Sequence, residues 1–369
     1  MEDKIFIGLM TGTSVDSLDC AAINCKGEAI EILGLRNFDI PKYLKKEILE
    51  LSIRSEINES SLSLLDRELG EFFCDSINAF LTLISIDSSE VEAIGSHGQT
   101  IKHEPKSRNP FSLQIGDPQL VSDNLGITTV GHFRNDDIAA GGQGAPLSPV
   151  FHNEVFNTHK EKRIIINIGG ITNISVLGDD KLIGFDTGPG NCLMDSWNRK
   201  NGKGNYDQDG KWAKSGNIIQ SLLDNMMNDN YFLLDYPKST GPDYFSLTWL
   251  EIHLKNINKE LEPKDVQATL AEMTAQSLLN SLNELNVIED EIYFCGGGVH
   301  NKYLLERISI GLNKKCKTTQ EIGVDPNYLE AICFAWLAKK RLDEVKFELE
   351  EITGSKGAVY LGRIFSPSI

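Results

Sequence analysis

The stretch Arg163-Ile164-Ile165-Ile166-Asn167-Ile168-Gly169-Gly170-Ile171-Thr172-Asn173-Ile174-Ser175-Val176-Leu177 decides the fold. It reads as an apolar, β-branched strand, a small Gly/Thr turn and a second strand, which together make a hairpin. The same plan opens the chain. Ile5-Phe6-Ile7-Gly8-Leu9-Met10 enters the polar turn Thr11-Gly12-Thr13-Ser14 and returns through Cys20-Ala21-Ala22-Ile23. A strand–turn–strand plan that recurs half a chain later predicts two structurally related halves. Each turn offers backbone N–H groups and hydroxyls, the donors that a polyphosphate tail requires.

Downstream of the second hairpin, Lys181-Leu182-Ile183-Gly184-Phe185 reads as a short strand and Asp186-Thr187-Gly188-Pro189-Gly190-Asn191 as a glycine-rich turn. Cys192 through Trp197 has the apolar spacing of a helix opening. A carboxylate at a strand-to-turn junction is fixed by the sheet yet open on one side, which suits a general base. The glycines let backbone N–H groups approach an anion, and the helix start adds the positive end of a dipole. The alternative is a tight turn closed by an Asx-type hydrogen bond.

Between the hairpins, Ala93-Ile94-Gly95-Ser96-His97-Gly98-Gln99-Thr100-Ile101 is a strand that ends in a polar loop. Gly131-His132-Phe133-Arg134 and Gly141-Gly142-Gln143-Gly144-Ala145-Pro146-Leu147 form a long loop rich in glycine and polar groups. It suits the lining of a neutral or anionic sugar site, or an ordinary interdomain connection. In the last third, 266–279 reads as a helix. Glu291-Ile292-Tyr293-Phe294-Cys295 reads as a buried strand ending in Gly296-Gly297-Gly298, where no Cβ obstructs a flat group, and a helix begins near Leu304. A strongly apolar helix at 326–338 carries Glu330 near its first turn, where an acid also serves as a dipole partner.

Composition sets limits on partners. The 369 residues suffice for two domains. Apolar residues make up 40% and charged residues 24%, a globular profile. A formal net charge of −17 argues against general nucleic-acid binding, which needs clustered Lys and Arg. An anionic substrate must therefore be held by local donors. No stretch reaches the length of a membrane span, and the start does not read as a signal peptide. The seven cysteines include no C-x-x-C pair and read as reduced core thiols of a cytoplasmic protein. No metal-ligand spacing is present.

Taken in order, these segments resemble the anhydro-N-acetylmuramic acid kinases, a branch of the actin/hexokinase/heat-shock ATPase superfamily. The resemblance rests on G-T-S-x-D-x-x-D at 12–19, G-S-H-G-Q-T at 95–100, L-Q-I-G-D-P at 113–118, F-R-x-x-D at 133–137 and G-G-Q-G-A-P-L at 141–147. It continues with N-I-G-G-I-x-N at 167–173, G-F-D-T-G-P-G-N at 184–191, Y-D-x-D-G at 206–210, P-K-S-T-G at 237–241 and D-V-Q-A-T-L at 265–270. The last matches are C-G-G-G-x-H-N at 295–301, D-P-x-x-x-E-A at 325–331 and T-G at 353–354. Nearly the whole chain is covered.

The resemblance implies an α/β protein of two ribonuclease-H-like domains, an actin-like ATPase fold around a central cleft. The expected division is 1–133 and 134–369, with the last fifteen or so residues packing back on the first domain. Gly12, Thr13, Ser14, Val15, Asp16, Ser17, Leu18 and Asp19 would contact ATP phosphates, with Gly169 and Gly170 in the second hairpin. Gly296, Gly297, Gly298 and Asn301 would flank the nucleoside. Asp186 matches the catalytic base. Ser96, His97, Arg134, Gly144 and Glu330 would bind or orient the sugar.

The implied reaction converts 1,6-anhydro-N-acetylmuramic acid, ATP and water to N-acetylmuramic acid 6-phosphate in peptidoglycan recycling, with Mg²⁺ inferred from phosphoryl-transfer chemistry. The expected partners are a sugar and ATP, with no nucleic acid and no membrane; a homodimer is compatible with the sequence. Two alternatives stand: a kinase of another anhydrosugar, such as levoglucosan, and a non-catalytic actin-like ATP switch. Two positions depart from the family pattern. Ser17 stands where the family usually has Gly, and requires a negative φ there. His132 stands where it usually has Asp, removing a carboxylate expected near Arg134.

Overall fold

The computed structural model describes residues 3–12, 14–54, 57–158, 162–178, 182–257, 260–287 and 291–368. Thr13, expected among the phosphate contacts, and Lys181 lie outside them. The chain divides into two compact units, Met1–Phe151 with Tyr328–Ile369, and His152–Asn327.

The first unit opens with β1 (Lys4–Thr11), β2 (Ser17–Lys26) and β3 (Ala29–Asp39), and continues with β4 (Val91–Ser96), β5 (Gln99–Glu104), β6 (Phe111–Ile115) and β7 (Thr129–Gly131). The second unit holds β8 (Arg163–Ile168), β9 (Ile171–Leu177), β10 (Ile183–Pro189), β11 (Glu291–Cys295) and β12 (Lys317–Thr318). The chain then returns to the first unit through β13 (Phe347–Glu348), β14 (Ala358–Val359) and β15 (Arg363–Phe365).

The two main sheets share one plan. The first runs β15-β7-β4-β1-β2-β3 and the second β10-β9-β8-β11-β12. In each, an antiparallel three-stranded meander is extended by parallel strands on the free side of its first strand: β1 pairs in parallel with β4, and β8 with β11; the first sheet adds β15 at its edge, antiparallel to β7. This order is that of the ribonuclease-H-like fold, so the duplication expected from the paired hairpins is present. β5 and β6 form a separate hairpin.

Each sheet packs on its own helices. In the first unit the helix Glu59–Ile84 buries Leu65, Leu69, Phe73, Ile77 and Phe80, an i, i+3/i+4 stripe that faces Ile7, Leu9 and Leu18 in one core. Its start is capped by Asn58, whose Oδ1 accepts from the N–H groups of Ser60 and Ser61. In the second unit the helix Pro263–Glu284 covers the sheet core around Ile164, Ile166 and Phe294.

The division differs from the expected 133/134 boundary, and the returning segment starts at Tyr328, well before the last fifteen residues. The cause is a notch made by two glycines. Gly8 of β1 and Gly95 of β4 are register partners, and the helix Leu329–Leu342 lies with its backbone against both. A Cβ on Gly8 would sit 1.8 Å from the Ala331 carbonyl oxygen, and one on Gly95 would sit 1.9 Å from that of Phe334. Only bare backbone permits that approach, and it seats the C-terminal helix on the N-terminal sheet.

Candidate active site

Asp186 lies on β10 and is buried. The strand continues through Pro189, past the turn that the sequence suggested, with a register shift against β9 between Asp186 and Gly188. Such a bulge re-aims a side chain at the end of a strand. The segment Tyr231–Thr240 wraps the aspartate. Asp186 N–H donates to the Lys238 carbonyl (3.0 Å), the Tyr231 hydroxyl donates to the Asp186 carbonyl (2.6 Å), and the Thr240 N–H donates to Asp186 Oδ2 (2.9 Å). Burial and the Asp186 charge push the Tyr231 phenol far up, so it remains a donor. Lys238 is buried too; its ammonium donates to the Leu234 carbonyl and lies 5.2 Å from the Tyr231 ring centre.

The turn after Asp186 does not present amides to an anion, as its glycines suggested. The N–H groups of Gly190 and Cys192 donate to the Gly170 carbonyl, and that of Asn191 donates to the Gly169 carbonyl. These bonds tie the 190–192 turn to the β8–β9 turn, and the helix Cys192–Lys200 starts with those donors already taken up.

Among the glycines expected to face nucleotide, three have room. A Cβ on Gly297 would meet nothing within 4 Å, one on Gly12 would only reach Ser14 Oγ at 4.0 Å, and one on Gly169 would meet the Ile171 carbonyl at 3.4 Å. Gly296 and Gly298 serve the unit's own packing, since their Cβ atoms would come within 2.2 Å of Asn167 Oδ1 and Ile168 Cγ2. Asn301 caps the helix Lys302–Leu312, its Oδ1 accepting from the Leu304 N–H (3.0 Å). Asn167 Oδ1 is buried without a hydrogen-bond partner.

In the first hairpin, Val15 (φ +54°) and Leu18 point into the core. Only their backbone can meet a ligand. Asp16 pairs with the Lys45 ammonium. Ser17 begins β2 and is not among the positive-φ residues, so its Cβ is tolerated. Its hydroxyl donates to Asp19 Oδ1 at 3.2 Å. Asp19 is raised to about 7: burial is the main cause, Ser17 opposes it, and the Glu330 charge adds to it. Asp19 and Glu330 are thus electrostatic neighbours within one unit.

Arg134 donates to His97 and to Gly144. Its Nε and Nη2 donate to His97 Nε2 at 3.2 and 2.9 Å, and its Nη1 donates to the Gly144 carbonyl at 2.6 Å. The His97 Nδ1–H donates to the Gly98 carbonyl at 2.8 Å, so both ring nitrogens are engaged within the protein. Burial, with the Arg134 charge beside it, pushes His97 down to about 3, and the imidazole is neutral. Phe334 of the C-terminal helix packs on the ring (centroids 4.7 Å apart). Gly144 is placed by Asp137, whose Oδ2 accepts the Gly144 N–H and whose Oδ1 accepts the Thr353 hydroxyl, each at 2.6 Å. His132 (φ +55°) packs edge-on against Phe365. Ser96 is buried beside His97 with Oγ unpaired.

Sequence reasoning left Tyr231, Lys238, Thr240, Asp137 and Thr353 out of the site. Lys238, Thr240, Asp137 and Thr353 each sit in a matched motif, the first two in P-K-S-T-G and the others in F-R-x-x-D and T-G, which was the available signal.

The anhydro-N-acetylmuramic acid kinase family matches residues 4–367 of this chain. The chain belongs to that family. Kinases of this name are similar along their full length: that of Coxiella burnetii (strain RSA 493 / Nine Mile phase I) is 42% identical over 370 residues, covering 99% of this chain and 98% of its own. That of Aliivibrio fischeri is 41% identical over 363 residues, 98% of each chain, and that of Saccharophagus degradans 40% over 372 residues, 100% of each. Solved structures are more distant. The Acidaminococcus fermentans (R)-2-hydroxyglutaryl-CoA dehydratase component A has a TM-score of 0.47 and 11% identity, with 90% of this chain and 96% of that one covered. This kinase-family member is an ATP-using sugar kinase by membership, and the strand order gives its fold. Among the described residues, no helix is long and apolar enough to cross a membrane.

Proposed function

We propose that the chain opens the 1,6-anhydro bridge of 1,6-anhydro-N-acetylmuramic acid with water while the γ-phosphoryl group of ATP passes to oxygen 6. The product is N-acetylmuramic acid 6-phosphate, which places the reaction in peptidoglycan recycling and the protein in the cytoplasm. The observation that carries this reading is the hold on Asp186: a buried carboxylate at a strand bulge, fixed through backbone and Oδ2 by one wrapping segment.

Glycoside opening ordinarily needs an acid for the leaving oxygen and a base for water. Here the leaving oxygen is also the phosphoryl acceptor. Its new bond to phosphorus replaces the proton that an acid would supply, so a single base suffices. Asp186 takes a proton from water, the water oxygen bonds to the anomeric carbon from the face opposite the bridge, and the C1–O6 electron pair stays on oxygen 6. ADP leaves. Arg134 pairs with the lactyl carboxylate, His97 acts through Arg134, and Glu330 orients the sugar.

In the second unit the open faces of Gly169 and Gly297 and the unpaired Asn167 Oδ1 fit a nucleotide, and in the first unit Gly12 leaves room for a phosphate contact of its own. Mg²⁺ would arrive with the phosphates and offset their charge. Among the described residues no three His, Cys, Asp or Glu side chains gather to hold a metal themselves.

The test is product analysis by NMR with 1,6-anhydro-N-acetylmuramic acid, levoglucosan and N-acetylmuramic acid supplied in parallel. The expected result is a 6-phosphate from the first sugar, formed initially as the inverted anomer. A phosphorylated sugar with its bridge intact, or preference for levoglucosan, overturns the reading.

A further inference from the structure

His300 belongs to the C-G-G-G-x-H-N motif, yet the proposed reaction gives it no task. It closes the 3₁₀ turn Gly297–His300, and in a turn of three residues positions i and i+3 lie over one another. Gly298 packs inward on Ile168, and Val299 packs against the core of the unit. Gly297 and His300 remain on the outer face, both exposed. The histidine thus stands on the face that Gly297 leaves bare, where a Cβ would meet nothing within 4 Å.

A chain of three side chains sets its tautomer. Asp325 Oδ1 accepts the Asn327 backbone N–H at 2.9 Å and the Asn327 Nδ2–H at 3.0 Å. A carboxylate only accepts, so the amide nitrogen of Asn327 faces Asp325 and the amide oxygen faces away. That oxygen lies 2.6 Å from His300 Nε2. An amide oxygen cannot donate, so the proton of this bond sits on Nε2. A neutral imidazole has one N–H, which leaves Nδ1 with its lone pair. Among the described residues, Nδ1 makes no hydrogen bond. The same segment is tied to the glycine turn through the Gly296 N–H, which donates to the Pro326 carbonyl at 2.8 Å.

An acceptor fixed in this way suits a group that only donates. A ribose hydroxyl donates and accepts, and would pair with either tautomer. The 6-amino group of adenine only donates, whereas a 6-oxo base would set acceptor against acceptor. We propose that His300 Nδ1 is a specificity-determining acceptor for the adenine 6-amino group, with Asn327 and Asp325 as positioning residues. This rests on the nucleotide lying over Gly297 and does not depend on which sugar is bound.

Titration calorimetry without sugar tests it, using ATP and purine riboside triphosphate, which carries hydrogen in place of the amino group. Wild type should bind ATP about three- to tenfold more tightly, the net contribution of one neutral hydrogen bond. His300→Ala should abolish that preference by weakening ATP alone. His300→Asn, whose amide oxygen can stand near the Nδ1 position, should retain most of it. His300→Gln, which reaches Asn327 and leaves the Nδ1 position empty, should lose it. Equal weakening of both nucleotides by His300→Ala, or of neither, overturns the assignment of His300. Gly297→Ala separates the two readings. If it weakens neither nucleotide, the base does not lie over Gly297, and the placement and the role of His300 fall together. If it weakens both while His300→Ala keeps the preference, only the role of His300 falls.

Discussion

His97 Nε2 lies 2.9 Å from Arg134 Nη2 and 3.2 Å from Arg134 Nε, so one neutral nitrogen accepts from two donors of the same guanidinium. A carboxylate in that position would also have held the arginine, and would have neutralised it. The imidazole orients without adding a charge, and the proton on Nδ1, committed to the Gly98 carbonyl, keeps the acceptor face toward Arg134.

That relationship separates two substitutions. His97→Gln can still offer an oxygen where Nε2 stood, whereas His97→Asn can keep the bond to Gly98 but falls short of Arg134. The asparagine variant should raise KM for the sugar with little change in KM for ATP, and the glutamine variant should lie much closer to wild type. Arg134→Ala should weaken sugar binding by roughly 1.5–3 kcal/mol. Steady-state kinetics with each substrate varied in turn would decide this. Equal loss for ATP and sugar would mean that the pair supports the unit's structure and not the sugar.

Gly8 and Gly95 predict a stability effect of a different origin. Alanine at either position drives a methyl group into the backbone of the C-terminal helix, 1.8 Å from the Ala331 oxygen or 1.9 Å from the Phe334 oxygen. The helix must lift, so the cost should reach or exceed the ~1–3 kcal/mol typical of overpacking. Gly297→Ala is the control, because its Cβ meets nothing within 4 Å. It should fold within about 0.5 kcal/mol of wild type while weakening nucleotide binding. Thermal melts of the three variants compare them directly. Similar melting temperatures for all three would refute the notch.

These two cases mark where the sequence was legible. The hairpins were readable because β1, β8 and β9 are strongly apolar runs broken by small turn residues. Asp186 was readable because it ends such a run. β3 was missed: nearly all of its side chains are exposed or half-exposed, so no periodicity marks it. The wrapping segment was missed because Tyr231 and Thr240 lie 45 and 54 residues beyond Asp186 and carry no local sign of that contact. The return of the C-terminal helix to the first sheet depends on a glycine pair in β1 and β4 meeting residues at the far end of the chain. Neither glycine reveals its partner locally.

Asp19 supplies a prediction in pH. Its folded value of about 7 stands above the ordinary 3.8, so between those values the folded chain binds more proton than the unfolded one. Stability from this group is therefore fully present below about pH 4 and is lost as pH rises through 7. Asp19→Asn removes the titration. The variant should gain in melting temperature relative to wild type as pH rises from 4 to 8, measured by calorimetry without ligands. A constant difference across that range would mean that Asp19 titrates normally and that burial and Glu330 do not act on it as described.

Asp186→Asn tests the chemistry most directly. The amide keeps the side chain's shape, and its oxygen can still accept from the Thr240 N–H, so the hold by the 231–240 segment survives. It cannot take a proton from water. Loss of a general base typically lowers rate by ~10²–10⁴-fold, and here the upper end is expected, because the same event must release oxygen 6 to phosphorus. Both outputs should therefore fall together: no 6-phosphosugar by ³¹P NMR, and no sugar-stimulated ADP in a coupled assay. Calorimetry should still show sugar and ATP binding, since the donors that hold them are untouched. If the variant hydrolyses ATP in response to sugar without opening the bridge, the two bond changes are separable and the base belongs to only one of them. If it turns over near the wild-type rate, another group activates the water, and the carboxylate on β10 serves the fold alone.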